Sequence, residues 1–293
     1  MRIGVCVKQV LYTGGAFEID PESNLPYPKD VEPIYLTNRT DRSALEEALS
    51  LRKEYGGEVI TITLGPASAA AAVYPCLAMG ADRGIHILQD ESGANDAYRT
   101  ALGLSRAVAA LGCELILCGN RSSDEGTWQV PPMIAELLNL PQVTSVIKLD
   151  VSPGQKRVRA VRRLERGRRE VVECPLPAVI GVESAIREPR YISVRAQLAS
   201  TQKQIETTSF SSLFKGAEEA TPLTRVVRFT PPRPRPKKMT QPDEGMDVSD
   251  RINFILSGGM AKKEDSRLIE GPPEKMAGQV IEILKREGAI KTP

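Results

Sequence analysis

LILCGNRSSDEGTWQVPPMIAELLNLPQV, residues 115–143, decides the fold. An apolar run at 115–118 reads as a buried strand and breaks at Gly119. The loop that follows is rich in hydroxyls and acids, and it feeds a helical pattern that Pro141 ends. A loop at the carboxyl end of a parallel strand that opens into a helix is where α/β proteins hold nucleotides. Free backbone N–H groups and the helix dipole both favour phosphate there.

Working outward, the same alternation repeats. Residues 2–8 (RIGVCVK) form a first buried strand. Residues 9–37 read as irregular, a length that is unusual in a compact domain and often functional. Thr40 or Asp41 can cap a helix with Ala44, Leu45, Ala48, Leu49 and Leu51 on its apolar face. Residues 58–64 (EVITITL) and 85–88 (IHIL) are strands. Between them an alanine-rich helix runs from Gly65-Pro66 towards Met79, and Pro75 should distort it. Asn95 or Asp96 can cap the next helix, whose apolar positions include Leu102, Leu104, Val108 and Leu111. Short apolar strands alternating with helices imply an α/β fold, Rossmann-like, with a mostly parallel sheet and helices on both faces.

After Pro141 the pattern changes. Residues 142–149, 157–164 and 169–174 alternate in a β manner, and Gly167 makes the last two a β-hairpin insertion. Residues 178–182 (AVIGV) are one more buried strand. From about residue 195 the apolar density falls. Residues 231–238 (PPRPRPKK) read as a stiff basic spacer. A last amphipathic helix covers 272–287, with Met276, Val280, Ile283 and Leu284 on its apolar face. The expected organisation is an α/β domain at 1–200 and an extended arm with a C-terminal helix at 201–293. A helix carried on such an arm needs a surface to dock on.

Composition sets outer bounds. The chain has 293 residues, 41% hydrophobic and 26% charged, with a net charge of +2. That balance argues against a dedicated nucleic-acid binder. No apolar run approaches the ~20 residues that span a bilayer. The first residues do not form a signal peptide. The five cysteines, an odd number set mostly in apolar segments, read as reduced thiols of a cytoplasmic protein. His86, the only histidine, reads as structural, so no Ser-His-Asp or Cys-His constellation can be assembled. Cys113 and Cys118 lack a zinc spacing. Ser257-Gly258-Gly259-Met260 reads as a turn, because Ala261-Lys262-Lys263 follows where a pyrophosphatase loop needs an acid. Lys156, Arg157, Arg159, Arg162, Arg163, Arg166, Arg168 and Arg169 give a basic hairpin, either a solvated face or a contact for an acidic partner.

Several of these segments occur together, in order, in one family. VCVKQV at 5–10, NRTDRSALEEALSL at 38–51, ITLGPA ending at Ala67, LAMGADRGIH at 77–86, the 119–138 loop and helix, and EPRY at 188–191 resemble the β subunit of electron transfer flavoproteins. The resemblance covers residues 1 to about 200. It implies an adenine nucleotide α-hydrolase-like fold and a heterodimer with an α subunit that carries the electron-transferring FAD. In that family the β subunit binds AMP, or a second FAD in electron-bifurcating members, and a segment of it docks the partner dehydrogenase.

Carried onto this chain, the nucleotide contacts are Cys6, Asn38, Leu64, Ser122, Asp124, Glu125, Thr127, Trp128, Gln129 and Val130. Pro189, Arg190, Tyr191 and Val194 take the place of the docking segment. The family's leucine anchor with its following Pro-Asn is absent from SVRAQL at 193–198, which suggests a partner other than the usual acyl-CoA dehydrogenase. Ordinary members read close to D-D-D-x-N-Q-T in the loop, and bifurcating members close to D-G-D-T-A-Q-V-G-P. Thr127, Gln129, Val130 and Pro132 match the second pattern, so FAD is favoured over AMP and the chain groups with the bifurcating type or a related prokaryotic set. Trp128 departs from both patterns, and Pro131 replaces a glycine. The resemblance implies an electron carrier between dehydrogenases and a quinone reductase or ferredoxin, in which the flavin supplies the redox chemistry. The alternative is a nucleotide-binding enzyme of the adenine nucleotide α-hydrolase superfamily, although KQVLYTGGAF at 8–17 holds no phosphate motif beyond Gly14-Gly15.

Overall fold

A computed structural model of the chain describes residues 1–15, 17–20, 22, 26–29, 32–89, 96–214, 221–230, 247–256 and 271–286. Two compact units divide it, Met1–Pro231 and Pro232–Pro293.

The first unit begins with β1 (Arg2–Cys6), β2 (Gln9–Leu11), β3 (Phe17–Ile19), β4 (Pro26–Pro28), β5 (Tyr35–Thr37) and α1 (Arg39–Tyr55). Next come β6 (Glu58–Gly65), a 3-10 turn at Ala67–Ala72, α2 (Val73–Met79), β7 (Arg83–Leu88), α3 (Ala97–Leu111), β8 (Leu115–Gly119) and α4 (Val130–Leu138). The remainder is β9 (Gln142–Ser152), β10 (Arg157–Arg163), β11 (Arg169–Pro175), β12 (Ala178–Val182), α5 (Val194–Ser200) and β13 (Glu206–Ser209).

Among the described residues, nine strands form the main sheet in the order β11-β10-β9-β12-β8-β1-β6-β7-β13. β1 pairs in parallel with β6 and with β8, and β6–β7, β8–β12, β9–β12 and β7–β13 are parallel too. Only the β9–β10–β11 insertion is antiparallel. The chain therefore builds outward from β1 to β7, then crosses back to place β8 on the other side of β1. That reversal makes β1 and β8 the switch point, where the connections leave in opposite directions and open a crevice.

Burial on both faces explains the continuous apolar strands. Ile3, Val5, Leu115 and Leu117 face a core that α1 fills with Ala44, Leu45, Ala48, Leu49 and Leu51. Ile60, Ile62, Ile116 and Val179 face a second core with Leu104 and Val108 of α3 and Ile134 of α4. Leu45 is fully buried, and its burial contributes about 1.5–3 kcal/mol. Asp96 caps α3 by accepting a hydrogen bond from Arg99 N at 2.9 Å. Gly112, at φ 62, ends that helix in the left-handed region that residues with a Cβ disfavour.

Four details differ from the sequence reading. Residues 9–37 carry two small antiparallel ribbons, β2–β5 and β3–β4. Each strand has three residues, too few for an alternation to show in sequence. The break in the alanine-rich stretch precedes Pro75, because α2 starts at Val73 and so leaves Pro75 in the first turn, where no N–H is needed. α1 starts at Arg39 with Asn38 as its N-cap, and neither Thr40 nor Asp41 caps it. β13 lies beyond residue 200 yet joins the sheet edge. Its ETTS sequence has no apolar signal. Arg83 holds it through both Glu206 oxygens, at 2.7 and 2.8 Å, and the buried Phe210 ring packs where Gly103 of α3 lacks a side chain.

The second unit has α6 (Val248–Leu256) and α7 (Pro273–Arg286). On α7, Val280, Ile283 and Leu284 are exposed and Met276 is half-buried. The spacer at 231–238 and the turn at 257–260 lie outside the described residues.

Candidate functional site

At the carboxyl ends of β1, β6 and β8 a crevice of about 170 Å³ opens. Cys6, Asn38, Leu64, Ser122, Glu125, Thr127, Trp128, Gln129 and Val130 line it. The tenth expected residue, Asp124, stands beside it with its carboxylate on Lys8 Nζ at 3.0 Å. The sequence reading missed Lys8, Asp41, Asp96, Cys118 and Arg121, which also border the space.

Asp41 holds the floor together. Its Oδ2 accepts from Lys8 N at 2.8 Å, just past the end of β1. Its Oδ1 accepts from Gly119 N at 3.1 Å, at the end of β8, and from Asn38 Nδ2 at 3.0 Å. One buried carboxylate thus ties both strands of the switch point to the start of α1. Burial pushes its pKa up to about 7, against hydrogen bonds from Lys8, Asn38 and Gly119 that pull the other way. A Cβ at Gly119 would collide with Asp41 Oδ1 and Thr40 Oγ1, so the approach needs glycine.

Asn38 extends the scaffold into the loop. Its Nδ2 lies 3.0 Å from Arg121 O, and its Oδ1 accepts from Ser123 N at 3.2 Å. Thr40 Oγ1 donates to Arg121 O at 2.7 Å. Asn38 is 3% exposed. On the other side Asn120 donates to Glu183 Oε1 at 3.0 Å. The first part of the loop, residues 120–123, is therefore fixed before any ligand arrives.

The donors that remain for a phosphate are mostly side chains. α4 begins at Val130, and Pro131 and Pro132 follow at once. Prolines have no N–H, so this helix offers fewer amide donors than the sequence reading assumed. Thr127 supplies a hydroxyl, Gln129 an amide, and Lys8 and Arg121 positive charge. Lys8 already pairs with Asp124 at 3.0 Å and Glu125 at 3.2 Å. Burial opposes ionisation of Asp124, but the Ser122 hydroxyl and the Lys8 ammonium outweigh it and hold the carboxyl below its usual range. The side chains present fit a nucleotide, provided that Lys8 exchanges a carboxylate for a phosphate.

Cys6 and Cys118 sit opposite each other in the β1–β8 register. The Cys6 thiol is pushed well up, first by its hydrogen bond to Cys118 and then by burial. All five cysteines are free and buried. His86 is buried, with Nε2 3.1 Å from Gly65 O, a structural contact. Among the described residues no cluster of acids, cysteines and histidine could hold a metal.

The expected docking residues separate into two kinds. Arg190 is held against the body of the domain, although its side chain stays 45% exposed. Its guanidinium grips Glu46 at 2.7 and 2.8 Å and reaches Met79 O at 3.2 Å. Pro189 lines a separate hollow beside β2 and β5. Tyr191 and Val194 are 89% and 67% exposed, and Leu198 on the next turn of α5 joins them at 65%. In the hairpin, Arg157 and Arg159 pair with Glu173, Arg162 with Glu170, and Arg163 with Glu183. Much of the basic run is thus internally balanced.

Comparison with known proteins gives a consistent picture. The family described as electron transfer flavoprotein domain matches residues 35–213. An electron transfer flavoprotein subunit beta of Thermoanaerobacterium thermosaccharolyticum is 38% identical over 196 residues, covering 67% of this chain and 73% of the relative. The acryloyl-CoA reductase electron transfer subunit gamma of Anaerotignum propionicum is 31% identical over 272 residues, covering 87% and 98%. The Bacillus subtilis electron transfer flavoprotein subunit beta is 28% identical over 258 residues, covering 87% and 88%. A parallel sheet with its crevice at the β1–β8 reversal, and a family match over more than half of the sequence, lead to one conclusion: the chain belongs to the electron transfer flavoprotein family, as a β subunit.

Proposed function

We propose that this β subunit pairs with a flavin-binding α subunit and holds an adenine nucleotide in the β1–β8 crevice, FAD in preference to AMP. The complex carries electrons between dehydrogenases and a quinone reductase or ferredoxin. The observation that carries this reading is the convergence of Cys6, Leu64 and the 119–130 loop on one crevice at the switch point. Preference for FAD rests on Thr127, Gln129, Val130 and Pro132. The bound flavin supplies the electron chemistry. The chain's own residues bind and orient it: Lys8 and Arg121 offset phosphate charge, the Thr127 hydroxyl and the Gln129 amide donate hydrogen bonds, and Asp41 and Asn38 hold the loop.

Tyr191 and Val194, with Leu198, form the docking patch for the redox partner, while Pro189 and Arg190 set the path of the segment that carries it. The Anaerotignum relative, named as the electron transfer subunit of an acryloyl-CoA reductase, supports an enzyme partner of that general kind. The second unit, Pro232–Pro293, contributes its helix α7 to the α subunit, using the exposed Val280, Ile283 and Leu284. Free buried thiols support a cytoplasmic setting. No described helix is long and apolar enough to cross a membrane.

The test is to co-express the chain with its α partner and quantify the nucleotides released from the purified heterodimer. Two FAD per heterodimer supports the reading. One FAD and one AMP leaves the crevice assignment and removes the preference for FAD. A well-folded complex with no nucleotide beyond the α-subunit flavin refutes the crevice.

A further inference from the structure

Trp128 combines features that do not suit a plain surface loop. Its backbone lies at φ 63, in the left-handed region, which is strained for a bulky side chain. Its ring lines the crevice and is 44% exposed. The Arg121 guanidinium lies 5.5 Å from the ring centroid, within cation–π range. Arg121 in turn starts from a backbone that Asn38 and Thr40 hold by its carbonyl. A glycine at 128 would relieve the strain and remove the exposed apolar surface. Strain kept at a residue that lines the crevice points to something the side chain does.

The size of the crevice indicates what that is. About 170 Å³ is below the roughly 300–1,000 Å³ of most small-molecule pockets. A whole dinucleotide does not fit inside, so part of it must lie at the rim, where the indole and the guanidinium are. Resting on the nucleotide reading above, we propose that Trp128 and Arg121 form a stacking clamp for the planar heteroaromatic ring of the bound nucleotide. The indole offers its face, and the guanidinium holds it in place and adds positive charge towards the phosphates. Adenine and isoalloxazine share the chemistry that such a clamp recognises. An electron-rich indole stacked on an electron-poor oxidised flavin also has a signature that adenine lacks, a broad long-wavelength charge-transfer absorption.

The chain holds one tryptophan, so its emission reports on this residue alone. The full chain, freed of nucleotide, is titrated with FAD and separately with AMP, following tryptophan emission and absorption. Equilibrium dialysis measures binding independently. Saturable quenching is expected, with Trp128→Gly weakening binding about tenfold, as loss of one stacked ring does. Trp128→Phe, which keeps a ring, should recover most of that loss. A merely structural Trp128 predicts the opposite, since glycine relaxes the backbone and would leave binding equal or tighter. A charge-transfer band with FAD, and AMP binding unchanged by the substitution, assigns the clamp to the flavin. Equal effects on FAD and AMP without that band assign it to adenine. Saturable dialysis with unchanged emission and no effect of Trp128→Gly overturns the clamp and leaves the crevice standing. No binding of either nucleotide overturns the crevice reading itself, and the clamp with it.

Discussion

Replacing Asp41 with asparagine should make the stability of the protein less sensitive to pH, and the structure sets the size of the effect. Asp41 is 5% exposed, and burial raises its pKa from 3.8 to about 7 on folding. The folded chain therefore keeps this proton after the unfolded chain has lost it. Stability contributed here falls as pH rises from about 4 to about 7, and the loss is complete above that window. When fully ionised the group costs about 4 kcal/mol, of which roughly 2–3 kcal/mol accrues between pH 5 and 8. Asparagine carries no charge and escapes this cost. Its amide oxygen can keep the bonds from Gly119 N and Asn38 Nδ2. Its Nδ2 then faces Lys8 N–H, which loses its acceptor at about 1–3 kcal/mol, independent of pH. The two proteins should thus be close in stability at pH 5, and Asp41→Asn should be the more stable by about 1–3 kcal/mol at pH 8. Urea denaturation of both across that range isolates the group, because every other titration is common to the pair. A stability difference that stays constant with pH would refute the buried, late-titrating carboxylate.

Other substitutions separate further assignments. Arg190→Ala should destabilise the protein by about 1–3 kcal/mol in urea, because it leaves Glu46 without its charged partner. Tyr191→Ala should change stability by no more than about 0.5 kcal/mol while weakening capture of the redox partner, and equal effects of the two would remove the division between them. Asp96→Ala should cost α3 about 1 kcal/mol. It should also speed hydrogen exchange at Leu223 and Thr224, whose N–H groups bond Asp96 Oδ2 at 2.8 and 2.9 Å. The thiols should resist an aromatic disulfide reagent until the chain unfolds, since burial pushes Cys76 and Cys113 up to about 12. Fast labelling of the native chain at pH 8 would contradict that. Glu125→Gln should tighten nucleotide binding by roughly two- to fivefold at low salt, because a phosphate then competes with one carboxylate fewer for Lys8. Weaker binding in dialysis would mean that Glu125 itself contacts the ligand.

Sequence periodicity made the centre of the fold legible and its margins obscure, for a physical reason. β1, β6, β8 and β12 are buried on both faces, so their inner residues are mostly apolar, interrupted in β6 only by the buried Thr61 and Thr63. β13 belongs to the same sheet but is held by an ion pair and by one buried phenylalanine beyond its end. Neither leaves a periodic trace. The ribbons within 9–37 are ordered by backbone hydrogen bonds such as Tyr12 N to Ile34 O at 2.8 Å, which any sequence can make. Family likeness reached those regions no better, since the motifs that carry it lie on the strand ends and helix starts.

The position of the candidate site was legible because topology dictates it, whereas its chemistry depends on residues that meet only after folding. A reversal of strand order beside β1 opens a crevice whatever side chains are present. Reading the 119–130 loop by itself suggested an anion site built from helix amides. The folded loop has two prolines where those amides would be, and a lysine from the end of β1 lying against the loop's own acids. Asp41 looked like a helix cap in sequence because caps and strand ties use the same side chain. Only the approach of Gly119 and Lys8 decides between them. The loop's local sequence is thus a poor guide to its electrostatics. Two carboxylates that would repel a phosphate in isolation instead hold a lysine in place, and under the proposed nucleotide reading binding is an exchange of partners at Lys8 rather than the filling of a positive hole.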